Sequence, residues 1–388
     1  MKVNFEKACS KVKPMHATNN GPVVLLRDVE MGTLHPFNNN LQAFKDAGIP
    51  YARTHDTTFY HRFGLEHTVD VYYVFPNFDA DPTDPNNYDF ACTDQYVQGC
   101  YLANTEVFYR LGHRIEHEIK KYGTLPPKDF KKWAIICEHI IRHYTEGWAD
   151  GFHYDIKYWE IWNEPDSDVP GKNQMWIGTM EQYYELYHVA ATYLKACFGD
   201  SIKIGGYGAC GFYAVFDAAA DGAVAEGKLS MPESEMQALI ERRKGYVKFF
   251  DRFIRFVKEE NLPFDFFTYH SYADAVDTMK MQMYVEKNLH EQGLYNTEIH
   301  LNEWNPCASV QEKGTGKAAA NIAAMMCAMQ NVRMDMMCYY DARISTSTYA
   351  GLFNPMTYKP LPSYYAMKAF GNLYQMGTQV EATCDGNG

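Results

Sequence analysis

Short strand-like runs alternate with longer helical patterns along nearly the whole of this chain, and that alternation restricts the fold more than any single motif does. Apolar or aromatic runs fall at 23–26, 50–53, 69–74, 158–161, 202–204, 266–269, 298–301 and 336–340. Helical patterns lie at 39–47, 101–121, 129–144, 181–197, 245–260, 276–292, 317–331 and 363–374. Alternation at this density implies a parallel sheet with helices packed on it. Eight strands, each followed by a helix or a long excursion, predict an α/β fold, the closed (β/α)8 TIM barrel, and 388 residues suffice for one with insertions. An open doubly wound sheet would ordinarily carry a glycine-rich phosphate turn after its first strand; Leu26-Arg27-Asp28-Val29 offers none. There is no internal repeat, and the Ala-rich stretch 214–225 reads as a loop or short helix.

Two of the runs lead into a carboxylate. Tyr158-Trp159-Glu160-Ile161-Trp162-Asn163-Glu164-Pro165 carries Glu164, and Ile299-His300-Leu301-Asn302-Glu303-Trp304-Asn305-Pro306 carries Glu303. Both glutamates follow strand-forming residues and precede a proline, so each should stand where a strand gives way to a loop. On this count Glu164 ends strand four and Glu303 ends strand seven, at the barrel face where reactive groups gather. Two carboxylates held at strand ends are what cleavage of a glycosidic bond needs. One protonates the leaving oxygen; the other attacks the sugar or activates water.

Composition narrows the partner. The formal charge is −12, which disfavours nucleic acid and anionic lipid and is compatible with neutral carbohydrate. An oligosaccharide or glycoside is the expected substrate, and a homo-oligomer is compatible with it. The 30 Tyr and 23 Phe supply both core and rings that can stack on sugar faces. None of the ten cysteines forms a C-x-x-C pair, so they read as buried free thiols in a reducing compartment. The N-terminal Met1-Lys2-Val3-Asn4-Phe5-Glu6-Lys7 has no apolar signal region, and a cytoplasmic location is expected.

The glutamate segments and several others resemble glycoside hydrolase family 39, the family of β-xylosidases and α-L-iduronidases, whose members are retaining (β/α)8-barrel enzymes. Glu160-Ile161-Trp162-Asn163-Glu164-Pro165-Asp166 is similar to its acid/base motif, and Asn302-Glu303-Trp304-Asn305 to its nucleophile motif. Residues 14–22 are similar to the stretch before its first strand, Arg53-Thr54-His55-Asp56 to its second strand end, and Phe266–Tyr272 to its sixth strand. The resemblance implies that Glu164 is the general acid/base and Glu303 the nucleophile. It also implies that Arg53, His55 and Tyr272 hold Glu303, and that Asn163 and His270 meet sugar hydroxyls. Trp304 stands beside the nucleophile as a supporting residue. Arg53 has an alternative partner in Glu160. Neither metal nor cofactor is called for.

Two departures from the family pattern bear on specificity and on domains. The eighth strand usually ends in a Trp under the sugar, whereas here it reads Cys338-Tyr339-Tyr340-Asp341-Ala342-Arg343, so Tyr340 or Asp341 takes that place. Members also carry a β-sandwich after the barrel. Residues 14–375 are therefore assigned to the barrel, and 376–388 to the opening of a truncated sandwich that 1–13 joins.

The function expected is a retaining, exo-acting, β-xylosidase-like hydrolase of a terminal neutral sugar, with a place in xylan degradation. Iduronidase-like or arabinose-directed hydrolysis, or an inactive carbohydrate-binding barrel, are the alternatives. A uronate would need a cation, for which Arg62 or Arg343 could serve, and no basic cluster is evident near either glutamate. The excursion 57–90 is expected to wall the sugar subsite. His113-Arg114-Ile115-Glu116-His117 fits the H-x-x-E-H zinc pattern, and His139 and His143 repeat its spacing. It reads as chance, because its helix is expected on the outside of the barrel.

Overall fold

The computed structural model describes residues 2–24, 26–32, 39–55, 69–116, 119–167, 173–215, 233–306, 311–346 and 349–383. Eight parallel strands close into a barrel in chain order: β2 (Ala17–Asn19), β3 (Tyr51–Arg53), β4 (Glu106–Leu111), β5 (Tyr158–Ile161), β6 (Lys203–Ala209), β7 (Phe266–Ser271), β8 (Glu298–Trp304) and β9 (Met336–Tyr339). Outside it, β1 (Lys2–Lys11) pairs antiparallel with β10 (Thr378–Thr383) in a separate two-stranded sheet. Among the described residues, no helix is long and apolar enough to cross a membrane.

Strand periodicity sorts the side chains into layers. Ala17, Phe108, Phe266, Met336 and Cys338 fill the lower barrel interior, with Tyr51 and Tyr158 packed against them. One step up each strand, Asn19, Arg53, Glu160, Thr268 and Asn302 form a buried polar layer. The alternate residues, such as Trp159, Ile161, Phe267, Tyr269 and Leu301, face outward and bury against the helices. Each large apolar side chain so buried contributes about 1.5–3 kcal/mol. Helix ends follow their sequence signals. Thr179 and Gln182 form a capping box before Met180–Phe198, and Gly48 closes Leu41–Ala47 in the left-handed conformation.

Two strand assignments fail, and their errors cancel in the count. The apolar run 23–26 is not the first strand. Val23 and Val24 are buried in the loop after β2, held by Asn40 Oδ1 accepting from Val23 N–H at 2.7 Å. The first position belongs to Ala17–Asn19, whose polar residues disguise it: Asn19 faces the barrel interior, and Thr18 Oγ1 donates to Asn20 O at 3.0 Å. The run 69–74 is not the third strand either. Val71–Val74 is a single helical turn after Asp70, with Val71 and Val74 buried together. The third strand is Glu106–Leu111, inside the stretch assigned to one helix at 101–121. That helix ends at Leu102, where Asn104 turns the chain with φ 58°.

The long helix before β7 starts earlier than its pattern suggested and spans Glu233–Glu259. Among the described cysteines all eight are free thiols, but Cys9 and Cys327 are exposed rather than buried. Arg62, His117, residues 57–68, most of the Ala-rich stretch and the last five residues lie outside the described residues.

Candidate active site

Strand ends four and seven bring the two glutamates into one cleft. After β5 the chain turns sharply, with Trp162 at φ 73° and Glu164 at φ 47°. Left-handed backbone is costly for residues with a Cβ, so other contacts must hold it. Trp162 N–H donates to Leu111 O at 2.8 Å and its indole N–H to Met175 O at 2.8 Å. Glu164 N–H is shared between the carbonyls of Tyr207 and Gly208 at 3.1 Å each. Glu303 needs no such turn, since it lies on β8 itself, one residue from its end. A register shift between β7 and β8 sets His270 beside Glu303.

His270 is fully buried and sits between the two carboxylates. Its Nδ1 lies 2.7 Å from Glu164 Oε1 and 3.5 Å from Glu303 Oε2. One oxygen of each glutamate and a ring nitrogen of His270 all fall within 4.8 Å of one another. That spacing would also admit a cation.

Glu303 has four neighbours. Arg53 Nη1 donates to Oε1 at 2.9 Å, His55 Nε2 is 3.1 Å from Oε1, and the Tyr272 hydroxyl donates to Oε2 at 2.9 Å. His270 completes the set. Burial alone would raise the Glu303 pKa, but His270, His55 and Arg53 together hold it well below the usual carboxylate range. Desolvation, followed by the adjacent Glu303 charge, pushes the Tyr272 phenol well up, so it remains a donor. Two residues beyond Glu164, burial and then the Glu164 charge push the Asp166 carboxyl well above its ordinary value.

Beneath these groups lies a buried polar layer that sequence reasoning did not assemble. Arg53 reaches Glu160 as well as Glu303: its Nε donates to Glu160 Oε2 at 2.8 Å, and its Nη2 to Asn163 Oδ1 at 2.5 Å. Asn19 Oδ1 accepts from Arg53 at 3.0 Å. Glu160 Oε1 also receives Thr268 at 2.7 Å and Asn302 at 2.6 Å. The guanidinium thus ties strands one, two, four and seven to the nucleophile, and holding Asn163 by its oxygen leaves the amide NH2 as a donor. Gly208 lies at φ 63° under the same groups, where a Cβ would stand 2.7 Å from Asn163 Oδ1 and 3.2 Å from His270 Nε2. The sequence signal for it is the cluster Gly205-Gly206-Tyr207-Gly208.

At the end of β9, Tyr340 packs edge-on against His55 with ring centroids 5.3 Å apart. Asp341 is buried and accepts from Arg343 Nε at 2.7 Å, so the Arg343 charge is paired. Trp304 is fully buried against Tyr339. The zinc pattern loses its premise, since His113 lies in the loop after β4 and not on a helix. Its ring nitrogens stand 3.7 Å from Asp70 and 3.5 Å from Glu116. Glu116 is itself taken up by the N–H groups of Tyr122, Gly123 and Thr124. The expected absence of a basic cluster near either glutamate fails too. Arg242 and Arg243 line a cavity of about 550 Å³ together with Glu164.

A closed parallel barrel whose fourth and seventh strands deliver two glutamates to one cleft is the architecture of a broad class of carbohydrate-active proteins. The model of glycosyl hydrolases family 39 matches residues 120–347, more than half of the chain, and the chain belongs to that family. It is 32% identical over 88 residues to a β-xylosidase of Caldicellulosiruptor saccharolyticus, covering 22% of this chain and 16% of that relative. It is 22% identical over 212 residues to a β-xylosidase of Geobacillus stearothermophilus, covering 52% of this chain and 34% of that one. The matches thus span no more than about a third of these curated relatives. A glucosidase from Croceicoccus marinus shares the fold with a TM-score of 0.72 at 22% identity, over 98% of this chain and 70% of that one.

Proposed function

We propose that this chain is a retaining, exo-acting O-glycoside hydrolase that removes a terminal neutral sugar, with a β-xylosidase-like preference. The observation that carries the reading is the Glu164–His270–Glu303 cluster, with an oxygen of each glutamate within 4.8 Å of the other. Retaining enzymes keep their carboxyl groups about 5–5.5 Å apart, whereas inverting ones leave about 6.5–9.5 Å for a water. In the first step Glu303 attacks the anomeric carbon while the Glu164 proton passes to the departing glycosidic oxygen. In the second, Glu164 takes a proton from water, whose oxygen attacks the same carbon and releases the Glu303 carboxylate. The cationic and phenolic neighbours of Glu303 favour its ionised form, which a nucleophile requires. Xylose is favoured by the names of both curated relatives.

A panel of nitrophenyl glycosides, with xylose, glucose, arabinose and iduronic acid as the sugar, tests the activity and the sugar. NMR of the first-formed anomer tests retention. Turnover of a neutral glycoside with retention is expected; an inverted product, activity confined to uronides, or release of internal fragments from a polymer would refute the reading.

A further inference from the structure

The cavity of about 550 Å³ that Arg242 and Arg243 share with Glu164 has a definite place in the proposed reaction. Glu164 lines it, while Glu303 and His55 do not. It therefore opens beside the acid/base, where the leaving group departs, with Tyr272, the hydroxyl partner of Glu303, in its wall. Its volume suits one sugar-sized or aryl-sized group. Tyr213, Tyr246, Tyr272 and Tyr349 contribute rings to its walls, and Glu164 is the only carboxylate among its described lining residues. Two guanidinium groups face one acid there, in a chain whose overall charge is −12.

Both arginines are placed by their surroundings. Arg242 is partly buried, and its Nε has no hydrogen-bond partner among the described residues. The charge of its guanidinium, which borders the cavity, is what an anion bound there would meet. The Arg243 guanidinium lies over the Tyr213 ring, 4.9 Å from its centroid, which fixes its plane. The Tyr213 hydroxyl in turn accepts the Tyr272 N–H at 2.9 Å, and Tyr272 donates to Glu303. Arg243 is thus connected through Tyr213 and Tyr272 to the reacting centre.

We infer that this cavity is the leaving-group subsite and that it selects an aglycone carrying a carboxylate, read by Arg242 and Arg243. The inference rests on the glycosidase reading. The substrate it describes is a terminal neutral sugar attached to an acidic unit. That unit is either a uronic acid or an aromatic acid, since both present a carboxylate on a ring that tyrosines can cover.

The test uses the whole protein and substrates sharing one neutral sugar. In one arm a carboxy-substituted nitrophenyl xyloside is compared with its methyl ester; in the other, xylose linked to a uronic acid is compared with the methyl ester of that disaccharide. Each ester adds only a methyl group to its acid and removes the charge. The wild-type protein should favour the acid over the ester in kcat/KM by about tenfold or more in at least one arm, as a charge-assisted pair allows. The arm that responds identifies the source of the carboxylate. The ratio should fall towards one in Arg242→Gln and in Arg243→Gln, and in the wild type at about 1 M salt. Because each ratio is internal to one preparation, partial misfolding of a variant cancels. A wild-type ratio near one in both arms, with the esters still cleaved, would overturn the inference and leave the glycosidase reading standing. So would a preference that both variants retain. Failure to cleave any neutral glycoside would instead bring down the reading beneath it.

Discussion

His270 Nδ1 stands 2.7 Å from Glu164 Oε1, so one ring nitrogen of the group expected to meet a sugar hydroxyl holds a carboxylate. With Glu303 Oε2 3.5 Å from the same nitrogen, the ring bridges the two glutamates and helps set the distance between them. A positioning role of this kind differs measurably from a substrate contact. His270→Ala should lower kcat by about 100-fold with a smaller change in KM, since a displacement of about 1 Å can cost that much. Steady-state kinetics on one nitrophenyl glycoside would decide it. A raised KM with kcat preserved would restore the sugar-binding role.

The two glutamates should fail in different ways. Glu303→Ala removes the attacking carboxylate, so turnover should be lost, and azide should return part of it as a glycosyl azide. Glu164→Ala should depress hydrolysis of glycosides with poor leaving groups far more than that of activated dinitrophenyl ones, which scarcely need a proton. A plot of rate against leaving-group pKa would show a steep slope for Glu164→Ala alone. Equal losses across the series in both variants would refute the division of roles.

The parts of this site legible in the sequence were those announced by a local pattern. Glu164 and Glu303 each close a strand-like aromatic run before a proline, and that alone fixed strands four and seven. The Arg53–Glu160 pair was among the alternatives the sequence offered, but the rest of what depends on a shared interior layer escaped. Nothing in the sequence shows that Thr268 and Asn302 reach Glu160 from two further strands. Asn19 sits on a three-residue strand too short and too polar to show a period. The strand Glu106–Leu111 hid because Glu106 and Arg110 break its apolar run and the helix Ala91–Leu102 ends only a few residues before it. Arg242 and Arg243 belong to a helix whose periodicity places them on its surface, and only tertiary packing brings that surface to Glu164.

Gly208 tests how tightly the upper layer is built. An alanine there would adopt left-handed backbone, at a cost of about 1–2 kcal/mol. Its methyl would also press on Asn163 Oδ1 and His270 Nε2, with Arg53 Nη2 at 3.4 Å. Gly208→Ala should therefore fold with a Tm reduced by a few degrees, yet lose about 100-fold or more in kcat/KM. Circular dichroism and kinetics on the same sample separate the two effects. Activity within about twofold of wild type would mean that the layer has slack the structure does not show.

Glu303 carries the clearest pH dependence. Burial opposes its ionisation, but His270, His55 and Arg53 reverse the balance and hold it below its ordinary value of 4.5. A depressed carboxylate keeps its charge as pH falls through 4.5, so the nucleophile stays ionised there. The stability it contributes is likewise present above 4.5 and is lost only as pH drops through the lower, folded value. His55→Gln removes a partner that lies 3.1 Å from Oε1, while Gln keeps a hydrogen-bond donor in reach. The acid limb of kcat/KM should then move upward, towards the usual carboxylate range, with the neutral-pH rate reduced much less. An activated dinitrophenyl glycoside is the substrate to use, because it makes the rate insensitive to the protonation of Glu164. An acid limb that stays where it was in the wild type would show that His55 does not set the charge of Glu303, and that Arg53 and His270 suffice.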